Sequence, residues 1–138
     1  MNEGYRTHRI RTDNYTITTV YNNTIGGYLV GLSFCSNLDQ PNHYKGKLIA
    51  TGRLHKVPIF FEPIREDVGE HHFIEGSVIT YLDKFYSDYN LATKPMKIAL
   101  ENKHRIPRWI GNFLQEYYNK VNLKYWNDVV INKGVINE

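Results

Sequence analysis

Two β-rich runs separated by turn residues constrain the fold of this chain more than any other feature. Tyr15-Thr16-Ile17-Thr18-Thr19-Val20-Tyr21 is β-branched and aromatic with partial alternation, the pattern of a half-buried strand. Asn22-Asn23-Thr24 and Gly26-Gly27 follow and suit a chain reversal. Tyr28-Leu29-Val30-Gly31-Leu32-Ser33-Phe34 then supplies the returning arm, so an antiparallel β-hairpin is predicted near the N-terminus.

Beyond the hairpin the periodicity becomes mostly helical. Polar turn residues (Ser36, Asn37, Asp39, Pro41, Asn42) lead into a predicted helix over Tyr44 to Leu54, with Tyr44, Leu48 and Ile49 on one broad apolar face. Gly46 and Gly52 each weaken such a helix by about 1 kcal/mol relative to alanine, and suit close approach by another backbone. Pro58-Ile59-Phe60-Phe61 is a short apolar run bounded by prolines, which predicts an edge strand. Glu66-Asp67-Val68-Gly69 is predicted to be a loop. Val78, Tyr81, Leu82, Phe85 and Tyr89 recur at helical spacing, giving a core helix that begins near Glu70 or Ser77. The next stretch, Lys94 to Lys103, fits either class, because Met96, Ile98 and Leu100 alternate while Met96 and Leu100 also share a helical face. Pro107 suits the first turn of a final helix with the stripe Ile110, Phe113, Leu114, Tyr117 and Val121. The tail after Asp128 either adds a strand or docks elsewhere. The class is therefore α+β: an N-terminal antiparallel sheet with helices, followed by C-terminal amphipathic helices, in one domain over residues 1–138 without internal repeat or linker.

Composition narrows the setting. A chain of 138 residues suits one core, and its hydrophobic fraction of 41% and charged fraction of 22% are those of a globular protein. Nothing approaches the roughly 18 consecutive apolar residues of a membrane span. Met1-Asn2-Glu3-Gly4-Tyr5-Arg6 lacks the order of a signal peptide, and Cys35, the only cysteine, forms no internal disulfide, so an intracellular location is predicted. A formal charge of +3 is mild for a nucleic-acid protein but favours acidic partners.

Local charge is more informative than the total. Lys94, Lys97, Lys103, His104, Arg105 and Arg108, opposed in that stretch only by Glu101, gather around the predicted start of the final helix. Cations there are mildly destabilising unless an anion joins them, and phosphate is the natural candidate. Arg105 and Arg108 supply forked donors for pyrophosphate oxygens, while Trp109 or Phe85 offers a ring to stack on a base. The bland alternative is a solvated face, and Trp109 alone is more often a core residue. Lys45, Lys47, Arg53, His55 and Lys56 make a second basic set, weighed equally as ligand site or solvated helix. It is not a P-loop, since Gly52 is followed by Arg53 and Leu54, and the chain has no G-x-G-x-x-G run.

Catalytic patterns are incomplete. In Glu70-His71-His72-Phe73-Ile74-Glu75, His71 and Glu75 would share a helical face, yet the zinc-protease order is absent and no second cluster completes a metal site. A solvent-facing first-turn cluster is the favoured reading. Cys35 beside Phe34 reads as a small buried apolar residue, and Ser33 and Ser36 sit in no G-x-S-x-G elbow. No cofactor and no metal are predicted.

The segment Cys35-Ser36-Asn37-Leu38-Asp39-Gln40, leading into Lys45-Gly46-Lys47-Leu48-Ile49-Ala50-Thr51-Gly52-Arg53-Leu54, resembles the Thoeris anti-defence 1 family of small bacteriophage proteins. The likeness is clearest over Tyr15 to Leu54. It departs at Pro41, where an aromatic is expected, and at Lys47, where arginine is. The resemblance implies a non-catalytic sponge in the host bacterial cytoplasm that sequesters cyclic ADP-ribose signals made by TIR-domain defence enzymes. Some members also hold cyclic oligonucleotides of the CBASS type. It further implies homodimers, or dimers assembled into hexamers, with pockets at subunit contacts. A pyrophosphate, two riboses and an adenine then call for arginines, hydrogen-bonding side chains such as Asn90 or Asn112, and an aromatic face. The candidate ligand set is Arg105, Arg108, Trp109, Asn112, Phe85, Asn90, Lys45, Lys47 and Arg53. Two rival readings are a nucleic-acid-binding or nuclease-blocking inhibitor, and a small hydrolase using His71, His72, Glu75 or Asp39.

Overall fold

The computed structural model describes residues 4–38, 42–62 and 69–125, with the side chains of 101–104 and 125 excepted. Strands β1 (Arg6–Arg11), β2 (Tyr15–Thr24) and β3 (Gly27–Ser36) precede helix α1 (His43–Lys56). Strand β4 (Ile59–Phe61) then leads to helices α2 (Glu70–Leu91), α3 (Lys94–His104) and α4 (Ile110–Tyr125). The four strands form one antiparallel sheet in the order β1-β2-β3-β4, which establishes the α+β class. The predicted loop at Glu66–Val68, the tail beyond Asp128, and Asp39 and Pro41 lie outside the described residues.

The hairpin forms as its sequence dictates. Thr24 pairs with Gly27 across a two-residue loop, and Gly26 occupies the left-handed region at φ 82°, which an L side chain resists. Pairing then runs Tyr21↔Val30, Thr19↔Leu32 and Ile17↔Phe34 on one face, and Val20↔Gly31, Thr18↔Ser33 and Thr16↔Cys35 on the other. β1 adds to the β2 side with Arg9↔Thr18 and Ile10↔Ile17. β4 is the edge strand expected from its prolines, and it pairs only with Tyr28 to Val30.

The two faces are unequal. Among the described residues, fourteen buried apolar side chains unite one face (Ile10, Ile17, Tyr21, Val30, Leu32) with α2, the α3–α4 connection and α4. Only Val20, Ala50 and Leu54 form the cluster on the other face, beneath α1. At about 1.5–3 kcal/mol per buried aliphatic or aromatic side chain, the first layer dominates stability. The thin second layer leaves room for polar groups under α1.

Helix α1 is present, but not with the apolar face that its periodicity suggests. Tyr44 and Leu48 are exposed, 73% and 55% respectively, and Gly46, Ala50 and Leu54 face the sheet instead. Close approach decides this: a Cβ on Gly31 would run into the Ala50 carbonyl and the Leu54 amide, so helix and strand backbones meet there. Gly46 lies over Thr18 and Ser33, whereas Gly52 has open space where a Cβ would point. Asn42 caps α1, its Oδ1 accepting from the Lys45 amide at 3.0 Å.

In the C-terminal half, α2 begins at Glu70 and buries Ile74, Val78, Ile79 and Leu82. The ambiguous stretch is the helix α3, with Pro95 in its first turn. α4 begins at Ile110, so Pro107 stands before the helix and not in its first turn. Arg105 ends α3 in the left-handed conformation at φ 53°, and the Pro107 carbonyl accepts from the Ile110 amide at 3.2 Å in the turn that follows. The predicted stripe is buried through Ile110, Phe113 and Leu114, while Val121 is exposed.

Candidate functional site

The last two turns of α2 and the α3–α4 connection enclose a recess of about 210 Å³. Phe85, Tyr86, Tyr89 and Asn90 line one side, and Ile106, Pro107, Arg108 and Ile110 the other. Sequence spacing explains the first wall, since residues three and four apart share a helical face. The second wall exists because Arg105 ends α3 in the left-handed conformation and Pro107 disfavours helical backbone at Ile106, so α4 starts at Ile110. Phe85 and Tyr89 stack at 5.7 Å between centroids, and Lys97 Nζ stands 5.1 Å above the Tyr89 ring in cation–π geometry. The Tyr86 phenol lies across Gly111, where an added Cβ would come within 2.7 Å of it.

Three of the proposed ligand residues, Phe85, Asn90 and Arg108, therefore meet in one place, with aromatic faces, an amide and a guanidinium. Arg53 and Arg105 lie within electrostatic reach of each other. Arg53 Nη1 donates to the Leu32 carbonyl at 2.8 Å, on the stretch of β3 that β4 does not reach. Burial depresses the Arg53 pKa, and the neighbouring positive charge of Arg105 depresses it further. An anion beside both would relieve that repulsion.

The remaining candidates lie elsewhere. Trp109 stacks on Tyr15 at 4.3 Å with an interplanar angle of 13° and meets Phe34 edge-on, so it pins α4 to the sheet. Asn112 faces solvent one turn into α4, and Lys47 is exposed on α1. Lys45 lines a different cavity, beneath α1. The side chains of Lys103 and His104 are outside those described.

The Glu70–Glu75 cluster is not a solvated first turn, although His71 and His72 are exposed. Glu75 Oε1 bonds His8 Nε2 at 2.8 Å, and its Oε2 accepts from the Tyr117 hydroxyl at 2.7 Å. Tyr21 OH lies 2.9 Å from His71 Nδ1 and donates to Glu70 at 3.2 Å, while Arg6 pairs with Glu70 at 3.2 Å. Burial raises the Glu75 carboxyl, but hydrogen bonds from His8 and Tyr117, with the charges of His8 and Lys120, outweigh it and hold the pKa below the usual value. Burial and then Glu75 raise Tyr117 in return. This network ties β1, α2 and α4 together. Its partners at positions 8, 21 and 117 are too far along the chain for spacing to reveal. Among the described residues no group of three or more His, Cys, Asp or Glu is placed to hold a metal ion, and no helix is long and apolar enough to cross a membrane.

Comparison with protein-family models, with curated proteins and with solved structures returned no match to this chain.

Proposed function

We propose that the protein is a binding protein for a cyclic ADP-ribose-type or related cyclic nucleotide, which it holds intact and so withdraws from bacterial Thoeris-type defence signalling. The observation that carries this reading is the recess that unites Phe85, Tyr89 and Asn90 with Arg108. Its aromatic side suits a base, Asn90 a ribose hydroxyl or base edge, and Arg108 a phosphate oxygen. A volume of about 210 Å³ is below the roughly 300–1,000 Å³ of a complete small-molecule site, so the recess takes one part of the ligand. The pyrophosphate would then lie toward the cationic connection between α3 and α4. The other wall would come from a second copy in a homodimer or larger assembly.

Retention and release test the reading. Protein is incubated with cyclic ADP-ribose isomers, freed of unbound ligand, heat-denatured, and the supernatant analysed by mass spectrometry. Intact ligand is the expected result. Conversion to product would replace the sponge with an enzyme, and absence of retained ligand would remove the proposal. Tight binding of oligonucleotides with a steep salt dependence would instead favour the nucleic-acid reading.

A further inference from the structure

A second cavity, of about 280 Å³, lies on the opposite face of the sheet, between the first turns of α1 and strands β2 and β3. Its floor follows from register. Arg9, Thr18 and Ser33 form one rung across β1, β2 and β3, and Arg11, Thr16 and Cys35 form the next, all turned toward α1. A hydrophobic helix–sheet contact would place valine or isoleucine at such positions. Hydroxyls and guanidiniums stand there instead.

Thr18 and Ser33 are 4% and 5% exposed and line the cavity. They point at Gly46, whose absent side chain keeps the space open: a Cβ there would lie 3.1 Å from Thr18 Oγ1 and 3.3 Å from Ser33 Oγ. The Arg9 Nε, on the same rung but not among the lining residues, is buried without a partner. Hydroxyls gathered around a cavity favour a polar occupant over an apolar one.

The surrounding charge defines what that is. The cavity is roofed by the N-terminal turn of α1, which carries no acidic residue. His43 and Lys45 line it, and Arg11 reaches His43 at 3.3 Å. Hydroxyl donors, an ammonium and the positive end of a helix dipole converge, with Ile49 as an apolar wall. We infer that this cavity is a second ligand site, separate from the α2–α4 recess, that takes a small oxyanion: phosphate or a small phosphate monoester. The inference does not depend on the cyclic-nucleotide reading.

Cys35, the only cysteine of the chain, lines the cavity and reports its occupancy. In the full-length protein, inorganic phosphate should slow modification of Cys35 by neutral iodoacetamide at least threefold and raise the melting temperature, relative to chloride at equal ionic strength. The double variant Thr18→Val, Ser33→Ala should need at least tenfold more phosphate for both effects. It should melt no lower than wild type without phosphate, because the apolar replacements are close in shape and keep the packing under α1. Should it fail to fold, Lys45→Gln on the exposed start of α1 should show the same loss. Arg108→Ala should respond to phosphate as wild type does. A lower half-protecting concentration for ribose 5-phosphate assigns the ester, and equal concentrations assign free phosphate. Chloride acting as well as phosphate, effects that persist in the Thr18, Ser33 and Lys45 variants, or effects lost in Arg108→Ala would overturn the inference.

Discussion

Gly31 shows how a single position sets the distance between two layers. Its missing side chain lets the Ala50 carbonyl and the Leu54 amide rest on β3, and backbone on both sides cannot yield without moving α1. Gly31→Ala should therefore cost about 3 kcal/mol, at the upper end of ordinary overpacking, and the midpoint of urea denaturation measures it. Glu75 is the ionisable counterpart. Its folded pKa lies below the unfolded value of about 4.3, so the network it anchors contributes stability above that pH and loses it as pH falls through the folded value. The melting temperature should drop over that acid range and do so less steeply in Glu75→Gln; identical slopes would show that His8 and Tyr117 do not hold the carboxylate. At this scale the sequence is only partly legible. The aromatic character of Trp109 is plain, but its partner Tyr15 is ninety-four positions earlier, so a stacking platform for a base and a clamp on the sheet look the same in one dimension.

At the scale of elements, periodicity reveals what packs against the large core and obscures the rest. The hairpin, the edge strand, α2 and α4 follow from alternation or helical spacing because each buries a regular apolar stripe. β1 is not apparent, since Arg6, His8, Arg9 and Arg11 dilute a strand whose one fully buried residue is Ile10, and Arg6 and His8 are met by α2. The α1 helix was apparent while its orientation was not. Gly46 weakens the helix and Ala50 is small, yet closeness of backbones puts both on the inner face. In the alternating α3 stretch, Pro95 in the first turn agrees with a helix, and Met96 and Ile98 remain exposed. The α2–α4 recess yields a prediction at this scale. Gly111→Ala meets only the far end of the Tyr86 side chain, which can swing away, so stability should change by less than about 1 kcal/mol. Displacing that ring should narrow the recess, and cyclic-nucleotide affinity, measured by calorimetry, should fall about tenfold. Unchanged affinity would place the ligand elsewhere.

Across the whole molecule, one four-stranded sheet separates two chemically different surfaces. The heavily buried side supports an aromatic recess with Asn90 and Arg108, and the thinly buried side supports a hydroxyl-floored cavity under α1. Basic residues near positions 45–56 and 94–108 are visible in the sequence, but only the fold places Lys45 at the cavity under α1 and Arg108 in the α2–α4 recess. The sequence pointed to a phosphate-bearing ligand through the density of cations around Arg105 and Arg108. It could not show that Arg108 joins the aromatic recess while Arg105 is not among its lining residues, although a left-handed residue and a proline turn lie between α3 and α4. In the proposed function this recess anchors a cyclic nucleotide. Calorimetric titration of cyclic ADP-ribose isomers into wild type and Arg108→Ala tests it most directly. Saturable wild-type binding, weakened at least tenfold by the substitution while the melting temperature of the free protein is kept, is the predicted result. Absence of binding in wild type, or equal affinity in both proteins, would contradict it.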